Sequence, residues 1–157
     1  MEEKIFYITK NKFEELKKEY KNLLPIELKK TKDDIPRLFE SEDVNPEYIN
    51  FQEDLSFLRS RIAELENILK NHEIIKKPSS ERAGLVGLGA AVTVDVDGEK
   101  DEFIITGTLE ANPTLGKISN ESPVGRALLG HKVGEKITVS SPLETTYTIK
   151  KIKYLSA

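Results

Sequence analysis

The chain contains no cysteine and only two histidines in 157 residues. Without cysteine there is no disulfide, no thiolate metal site and no cysteine nucleophile. His72 and His131 are too few and too far apart in sequence to suggest a histidine-based metal site. The N-terminus lacks the basic-then-apolar pattern of a signal peptide, and no apolar run is long enough to cross a bilayer. We therefore expect a soluble, cytoplasmic protein that does not associate with a membrane.

Neither sign of charge dominates the sequence. Lys and Arg number 24 against 27 Asp and Glu, which gives a net charge of -3 although 32% of the residues are charged. This interleaving argues against a cationic nucleic-acid coat and against a disordered acidic tail. The length is sufficient for one domain or for two small ones.

The first half of the chain begins with an amphipathic helix. Thr9 is a suitable N-cap, and apolar residues recur after it at three- and four-residue steps: Phe13, Leu16, Tyr20 and Leu23. Pro25 is expected to end or kink the helix, although apolar residues beyond it allow an amphipathic continuation. Pro36 is a second stop.

A second helix has the clearer pattern. Asn45 can cap it and Pro46 suits its first turn. Its apolar positions follow a heptad as far as Asn71: Phe51, Leu55, Leu58, Ile62, Leu65 and Leu69. A helix of this length is about 40 Å long. The two helices are predicted to form an antiparallel coiled-coil hairpin within residues 1–76.

An acidic tip, residues 40–48, separates the two helices. Its carboxylates before the cap are Glu40, Glu42 and Asp43. A solvated loop is the ordinary interpretation of such a turn. The alternative is a carboxylate cluster held at the end of a rod to meet a metal ion or a basic pocket. The first arm also carries a basic run, which is usually just a solvated face but is able to follow a phosphate backbone: Lys29, Lys30 and Lys32.

The second half has the period-two pattern of β-strands. Residues 77–82 form a polar linker, and residues 83–157 are predicted to form a small β-rich domain. The expected strands are 91–96, 103–105, 136–139 and 147–154, with a hairpin turn at Asp97-Gly98 and a short helix at 124–130. No phosphate loop and no Gly-x-Ser-x-Gly motif is present, so nucleotide binding and hydrolase chemistry are not expected.

Several segments carry a resemblance to a known family. The β-rich half contains, in order, Thr106–Asn112, Gly116–Ser119, Ser122–Gly130 and Val133–Glu135. These follow a charged helical hairpin whose turn ends in Asn45-Pro46-Glu47-Tyr48. Over essentially the whole chain this order resembles the bacterial Gre transcription elongation (transcript cleavage) factors. The most specific segment is Ser-Pro-x-x-x-Ala-Leu-Leu-Gly.

The resemblance implies a fold and a function. The fold is α+β, with an N-terminal antiparallel coiled-coil hairpin and a small β-rich C-terminal domain like that of FK506-binding proteins. In this family the C-terminal domain docks on the rim of the secondary channel of RNA polymerase, and the hairpin enters the channel. The tip then helps hold a Mg²⁺ jointly with the polymerase, which cleaves the displaced 3′ end of a backtracked RNA. The factor itself, expected to be a monomer, is not an enzyme.

The resemblance also assigns roles to residues. Three residues match the docking loop of the family: Glu121, Ser122 and Pro123. The basic residues of the first arm, Lys29, Lys30 and Lys32, lie where the family has residues that face the RNA. The catalytic and metal-binding role falls to tip carboxylates: Asp43 with Glu42 or Glu40.

The tip departs from the family motif, Asp-x-x-Glu-Asn-Ala-Glu-Tyr. An alignment without a gap puts Ser41 and Val44 at the two acidic positions, and neither is a carboxylate. An alignment with Val44 inserted puts Glu40 and Asp43 there instead, with the two acids exchanged. The leading hypothesis is a cleavage-stimulating factor. The alternatives are a channel binder that modulates or inhibits the polymerase without cleavage, and a free-standing isomerase or chaperone.

Overall fold

A computed structural model describes residues 4–33, 35–140 and 143–154. In chain order the elements are β1 (Phe6–Ile8), α1 (Lys10–Lys32), β2 (Phe39–Glu40), β3 (Asp43–Val44), α2 (Pro46–Lys70), β4 (His72–Ile74), β5 (Ala90–Val96), β6 (Glu99–Thr106), β7 (Lys117–Ser119), α3 (Pro123–Leu128), β8 (Lys136–Val139) and β9 (Thr145–Tyr154). Short 3-10 turns lie at Thr108–Glu110 and Pro113–Leu115. The predicted α+β fold class is confirmed.

Contacts divide the described residues into two compact units. One, the hairpin unit, is Phe13–Asn71, and the other, the β-rich unit, consists of the described residues of Met1–Lys12 and His72–Ala157. The predicted boundaries at 1–76, 77–82 and 83–157 divide the chain differently. The reason is a parallel strand pair, β1 with β4, that the sequence pattern did not reveal, and both strands belong to the β-rich unit.

Helix α1 runs through Pro25, so this proline does not end the helix, and the continuation that the apolar residues beyond it allowed is confirmed. Pro25 is exposed, and so is Lys21, the residue whose carbonyl loses its helical N–H partner, so water is able to satisfy that carbonyl. Beyond the proline, the Thr31 hydroxyl donates to the carbonyl of Glu27 at 3.1 Å. The helix ends before Pro36, as predicted.

The two helices of the hairpin unit are antiparallel. Side-chain contacts join early residues of α1 to late residues of α2 and later residues to earlier ones: Tyr20–Glu66, Glu19–Arg61, Glu27–Arg59 and Lys30–Phe51. Arg61 donates to both carboxylate oxygens of Glu19, at 2.7 and 2.8 Å. Three seam residues are buried, Leu16, Ile62 and Leu65, and so is Ile68, the neighbour of the half-buried seam residue Leu69. The predicted hairpin is therefore confirmed.

The β-rich unit is built on a five-stranded sheet in the order β7-β6-β5-β9-β8. The predicted Asp97-Gly98 turn joins β5 to β6, and both residues have positive φ, 52° and 86°, as a type I′ turn requires. The buried core lies on one face of the sheet, with α3 contributing to it: Val92, Val94, Ile105, Leu128 and Ile149. The strands expected from period two are all present.

Strand β1 approaches the end of β6 so closely that only glycine fits there. A Cβ atom on Gly107 would lie 1.8 Å from the carbonyl oxygen of Tyr7. Next to this contact, Glu110 accepts hydrogen bonds from the backbone N–H and the hydroxyl of Thr9, at 2.8 and 2.7 Å. The Thr9 hydroxyl oxygen in turn accepts from the N–H of Lys12, so the predicted N-cap is confirmed.

Within the described residues, no helix combines the length and the apolar content that crossing a membrane requires.

Candidate functional site

The acidic tip folds into a small β-ladder rather than a simple turn. Strands β2 and β3 are antiparallel, with Phe39 opposite Val44 and Glu40 opposite Asp43. Ser41 has a left-handed φ of 62°, which allows the tight connection between the strands. Side chains directly opposite each other in a ladder share one face, with Cβ atoms about 5 Å apart. Glu40 and Asp43 therefore form an acidic pair.

The sequence order apolar-acid-turn-acid-apolar was the available signal for this ladder. Because side chains alternate along a strand, Phe39 and Val44 lie on the face opposite the acidic pair. Both are exposed, Phe39 at 56% and Val44 at 47% of their surface. The ladder thus has an acidic face and an apolar face, and the apolar face was not predicted.

The register of the ladder can be compared with the two possible alignments of the tip. The alignment without a gap needs Val44 as a ligand, but Val44 is apolar and faces away from the acidic pair. The alignment with an insertion pairs Glu40 with Asp43, and these are the two residues that the ladder brings together. Glu42 lies in the turn between them rather than in the ladder.

A buried asparagine fixes the tip to the start of α2. Asn45 is only 8% exposed. Its side-chain oxygen accepts from the N–H of Glu47 at 3.0 Å, which is the predicted N-cap. Its side-chain amide donates to the carbonyl of Arg37 at 2.9 Å, and its backbone N–H donates to the carbonyl of Leu38 at 2.9 Å. One side chain therefore holds both ends of the ladder.

The carboxylates of the tip fit a Mg²⁺ ion that takes its remaining ligands from elsewhere. Among the described residues, no group of three or more His, Asp or Glu side chains is arranged to hold a metal. Mg²⁺ is typically held by one or two carboxylates and completes its octahedral shell with waters and phosphate oxygens. The exposed pair Glu40 and Asp43 matches that contribution, and Glu42 is a third carboxylate nearby in the chain.

The basic run lies in the last turn of α1, where positive charges stabilise the helix by interacting with the negative end of its dipole. Lys30 turns toward α2, with its ammonium 5.9 Å from the ring centroid of Phe51. Lys29 and Lys32 are exposed. The predicted RNA-facing residues therefore divide into one that packs on the hairpin and two that present their charge to solvent.

The predicted docking loop, residues 121–123, precedes α3 in the β-rich unit. The Ser122 hydroxyl accepts from the N–H of Gly125 at 3.1 Å and donates to the carbonyl of Ser119 at 2.6 Å. Pro123 is the first residue of α3. The N-cap followed by proline, expected from the sequence, is confirmed, and it gives this loop a defined conformation.

The carboxylate of Glu121 is held from two sides. Its Oε2 accepts from the hydroxyl of Thr108 at 2.8 Å and from the ammonium of Lys4 at 3.3 Å. The hydrogen bond from Thr108, followed by that from Lys4, lowers the pKa of Glu121. The backbone of Glu121 is held as well, by the Ser119 hydroxyl at its N–H and by Arg126 at its carbonyl. Sequence reasoning missed Lys4 and Thr108 because they lie 117 and 13 residues from Glu121 along the chain.

Comparisons with known proteins relate both halves of the chain to transcription elongation factors. Residues 6–74 match the family described as transcription elongation factor, N-terminal, and residues 81–154 match transcription elongation factor, GreA/GreB, C-term. The transcription elongation factor GreA of Thermomicrobium roseum is 39% identical over 141 residues, which covers 86% of this chain and 88% of that protein. GreA of Bacillus subtilis is 37% identical over 145 residues, with 90% and 91% covered.

Among solved structures, the GreA factor homolog 1 (Gfh1) protein of Thermus thermophilus is similar at 26% identity, with a TM-score of 0.42, over 96% of this chain and 99% of that one. The family assignment rests on the two sequence matches, which leave only a few residues between them. The chain belongs to the GreA/GreB family of transcription elongation factors.

Proposed function

We propose that this elongation factor binds in the secondary channel of bacterial RNA polymerase, in the cytoplasm, and stimulates the polymerase to cleave backtracked RNA. The observation that carries the proposal is the acidic pair, in which the tip ladder places Glu40 and Asp43 side by side. Cleavage uses the active site of the polymerase. The chain is therefore a stimulating factor rather than an enzyme.

The acidic pair would contribute ligands to a Mg²⁺ shared with the polymerase. Such an ion neutralises developing negative charge and lowers the pKa of a bound water. On the protein side, Glu40 and Asp43 are both exposed, so their carboxylate oxygens are accessible to an ion. Asn45 holds the ladder in place, so the pair is oriented before the polymerase is met. Glu42 in the turn adds negative charge beside the pair.

Two other groups of residues complete the proposed complex. Lys29 and Lys32 are exposed on the arm and would contact phosphates near the 3′ end of the displaced RNA. The docking loop, residues 121–123, would contact the rim of the channel. Its N-capped, proline-fixed conformation lowers the entropy lost on binding.

The tip is tested by neutralising one carboxylate at a time. Asp43→Asn and Glu40→Gln should each reduce stimulated cleavage by about 100-fold, the usual order for removing one electrostatic contact in a transition state. Glu42→Gln, the matched control in the turn, should retain most of the activity. The measurement is the cleavage rate of a stalled, backtracked complex at saturating factor, together with the affinity for the polymerase, which should not change.

Three outcomes would count against the proposal in different ways. If Glu40→Gln, Glu42→Gln and Asp43→Asn all keep full stimulation, the carboxylates of the tip do not act in cleavage. If the unmodified chain binds polymerase but does not accelerate cleavage, it is a channel binder that modulates or inhibits the polymerase. A proline-limited refolding assay that shows catalysis by the chain would instead support the isomerase alternative.

A further inference from the structure

The docking loop is connected to segments far away in the sequence through a single carboxylate. Lys4 precedes β1 and Thr108 lies in a 3-10 turn, 117 and 13 residues from Glu121. Both donate to the same oxygen, Oε2, at 3.3 and 2.8 Å. The Thr108 hydroxyl also lies 3.2 Å from the hydroxyl of Ser119, which accepts the N–H of Glu121. These contacts all lie within the β-rich unit.

The remaining polar group of Glu121 is occupied too. Arg126 donates to its carbonyl oxygen from two guanidinium nitrogens, at 2.9 and 3.3 Å. The N–H, the carbonyl and the carboxylate of Glu121 therefore all have partners within the chain. Ser122 and Pro123 follow directly, so the conformation in which they are presented depends on these contacts.

We infer that Glu121 acts in polymerase docking chiefly by holding the loop, and that Lys4 and Thr108 are positioning residues for docking. The inference rests on the proposed function, because the loop must contact the polymerase for its conformation to matter. It differs from the simplest role for Glu121, a direct contact to a basic site on the polymerase. In that role Lys4 would be unimportant or would weaken binding by competing for the carboxylate.

Charge supports a holding role. Lys4 donates to the carboxylate of Glu121, and Arg126, which donates to the backbone carbonyl, adds a second positive charge that favours the charged form of the carboxylate. The lowered pKa of Glu121 is consistent with a carboxylate held in its charged form.

The two partners should differ in strength. The Lys4 and Glu121 side chains are 52% and 53% exposed, so water and salt screen their attraction. We expect Lys4→Glu to weaken polymerase binding by about two- to fivefold. The bond from Thr108 is shorter and charge-assisted, and Thr108→Val should weaken binding by about tenfold. Thr108→Ser keeps the hydroxyl and should bind almost as the unmodified chain does.

Exchanging the charges of Lys4 and Glu121 distinguishes a Glu121 that holds the loop from a Glu121 that contacts the polymerase directly. The affinity of full-length variants for bacterial RNA polymerase is measured by fluorescence anisotropy at low and moderate salt. Lys4→Glu and Glu121→Lys should each weaken binding, whereas the double variant should bind about two- to fivefold more tightly than Glu121→Lys alone, because the exchange restores the ion pair but not the bond from Thr108. A direct contact of Glu121 with the polymerase would not show this rescue, because the charge at position 121 would still be reversed. Lys77→Glu, an exposed lysine given the same change of charge, is the control for long-range electrostatics and should have no effect.

The following results would overturn the inference. If Glu121→Lys weakens binding, Lys4→Glu does not, and the double variant shows no rescue, Glu121 contacts the polymerase directly. If Thr108→Ser is as impaired as Thr108→Val, the hydroxyl is not the group that matters. Failure of the unmodified chain to bind polymerase would overturn the proposed function and this inference together, and so is distinct from failure of the rescue alone.

Discussion

One methyl group, added at Gly125, is expected to disrupt the docking loop. Gly125 lies inside α3, where helix propensity alone favours alanine over glycine by about 1 kcal/mol. The surroundings oppose this. A Cβ atom at this position would lie 2.1 Å from the carbonyl oxygen of Ser119 and 2.9 Å from the hydroxyl oxygen of Ser122. Gly125→Ala therefore sets a steric clash against a favourable propensity.

The size of the effect follows from what must move. Ordinary contact requires the Ser119 carbonyl to retreat by roughly 1 Å. That carbonyl accepts from the hydroxyl and the N–H of Ser122, at 2.6 and 3.0 Å, and the same hydroxyl caps α3. Loss of a cap costs about 1 kcal/mol and loss of a further hydrogen bond about 1 kcal/mol more. With the clash itself added and the propensity gain subtracted, we expect a net loss of about 2 kcal/mol.

Calorimetry on the full chain measures this loss. For a unit of roughly 100 residues, 2 kcal/mol corresponds to a decrease in Tm of about 10 °C, and affinity for the polymerase should fall at the same time. Circular dichroism at 222 nm, dominated by α1 and α2, should report no loss of helix at 25 °C. Gly84→Ala is the matched control, because nothing lies within 4 Å of a Cβ there. A Gly125→Ala variant as stable as the unmodified chain would refute the reasoning.

Three further predictions concern other contacts. Gly107→Ala should destabilise the β-rich unit by more than 2 kcal/mol, since its Cβ meets the Tyr7 carbonyl oxygen at 1.8 Å and backbone must shift; thermal melting tests this. Because the pKa of Glu121 is lowered on folding, its stabilising effect is present above the ordinary carboxyl range and is lost as the pH falls through the lowered pKa; the Tm difference from Glu121→Gln should vanish on acidification. Arg61→Ala, which removes the bidentate pair with Glu19, should cost the hairpin about 1 kcal/mol in low salt and less in high salt, as followed by circular dichroism.

The sequence predicted most of the regular elements because their signals are local. The heptad seam of α2, the cap at Asn45 and the Asp97-Gly98 turn each depend on residues within a few positions of one another, and each is present in the structure. Pro25 was the exception among local signals. Its cost depends on whether water reaches one carbonyl, which is a property of the folded surface and not of the sequence window.

Features that depend on distant residues were not predictable in this way. Strands β1 and β4 are three residues each, too short for a periodic pattern, and their pairing joins segments on either side of the hairpin. The partners of Glu121 are also distant, and only the fold brings Lys4 and Thr108 to it. At the tip the acidic residues could be read from the sequence, but the pairing of Glu40 with Asp43 needed the register of the ladder.

The parallel pairing of β1 with β4 has a consequence for how such factors change over time. Parallel neighbours need a long connection, and here the whole helical arm is that connection. The arm is thus an insertion that begins after Ile8 and ends before His72. One short ladder, β1 with β4, fixes both of its ends. Insertions between neighbouring ends are tolerated readily. Grafting residues 13–71 from a relative should therefore exchange the tip and its reach, and leave unchanged the loop 121–123, which we propose contacts the polymerase rim.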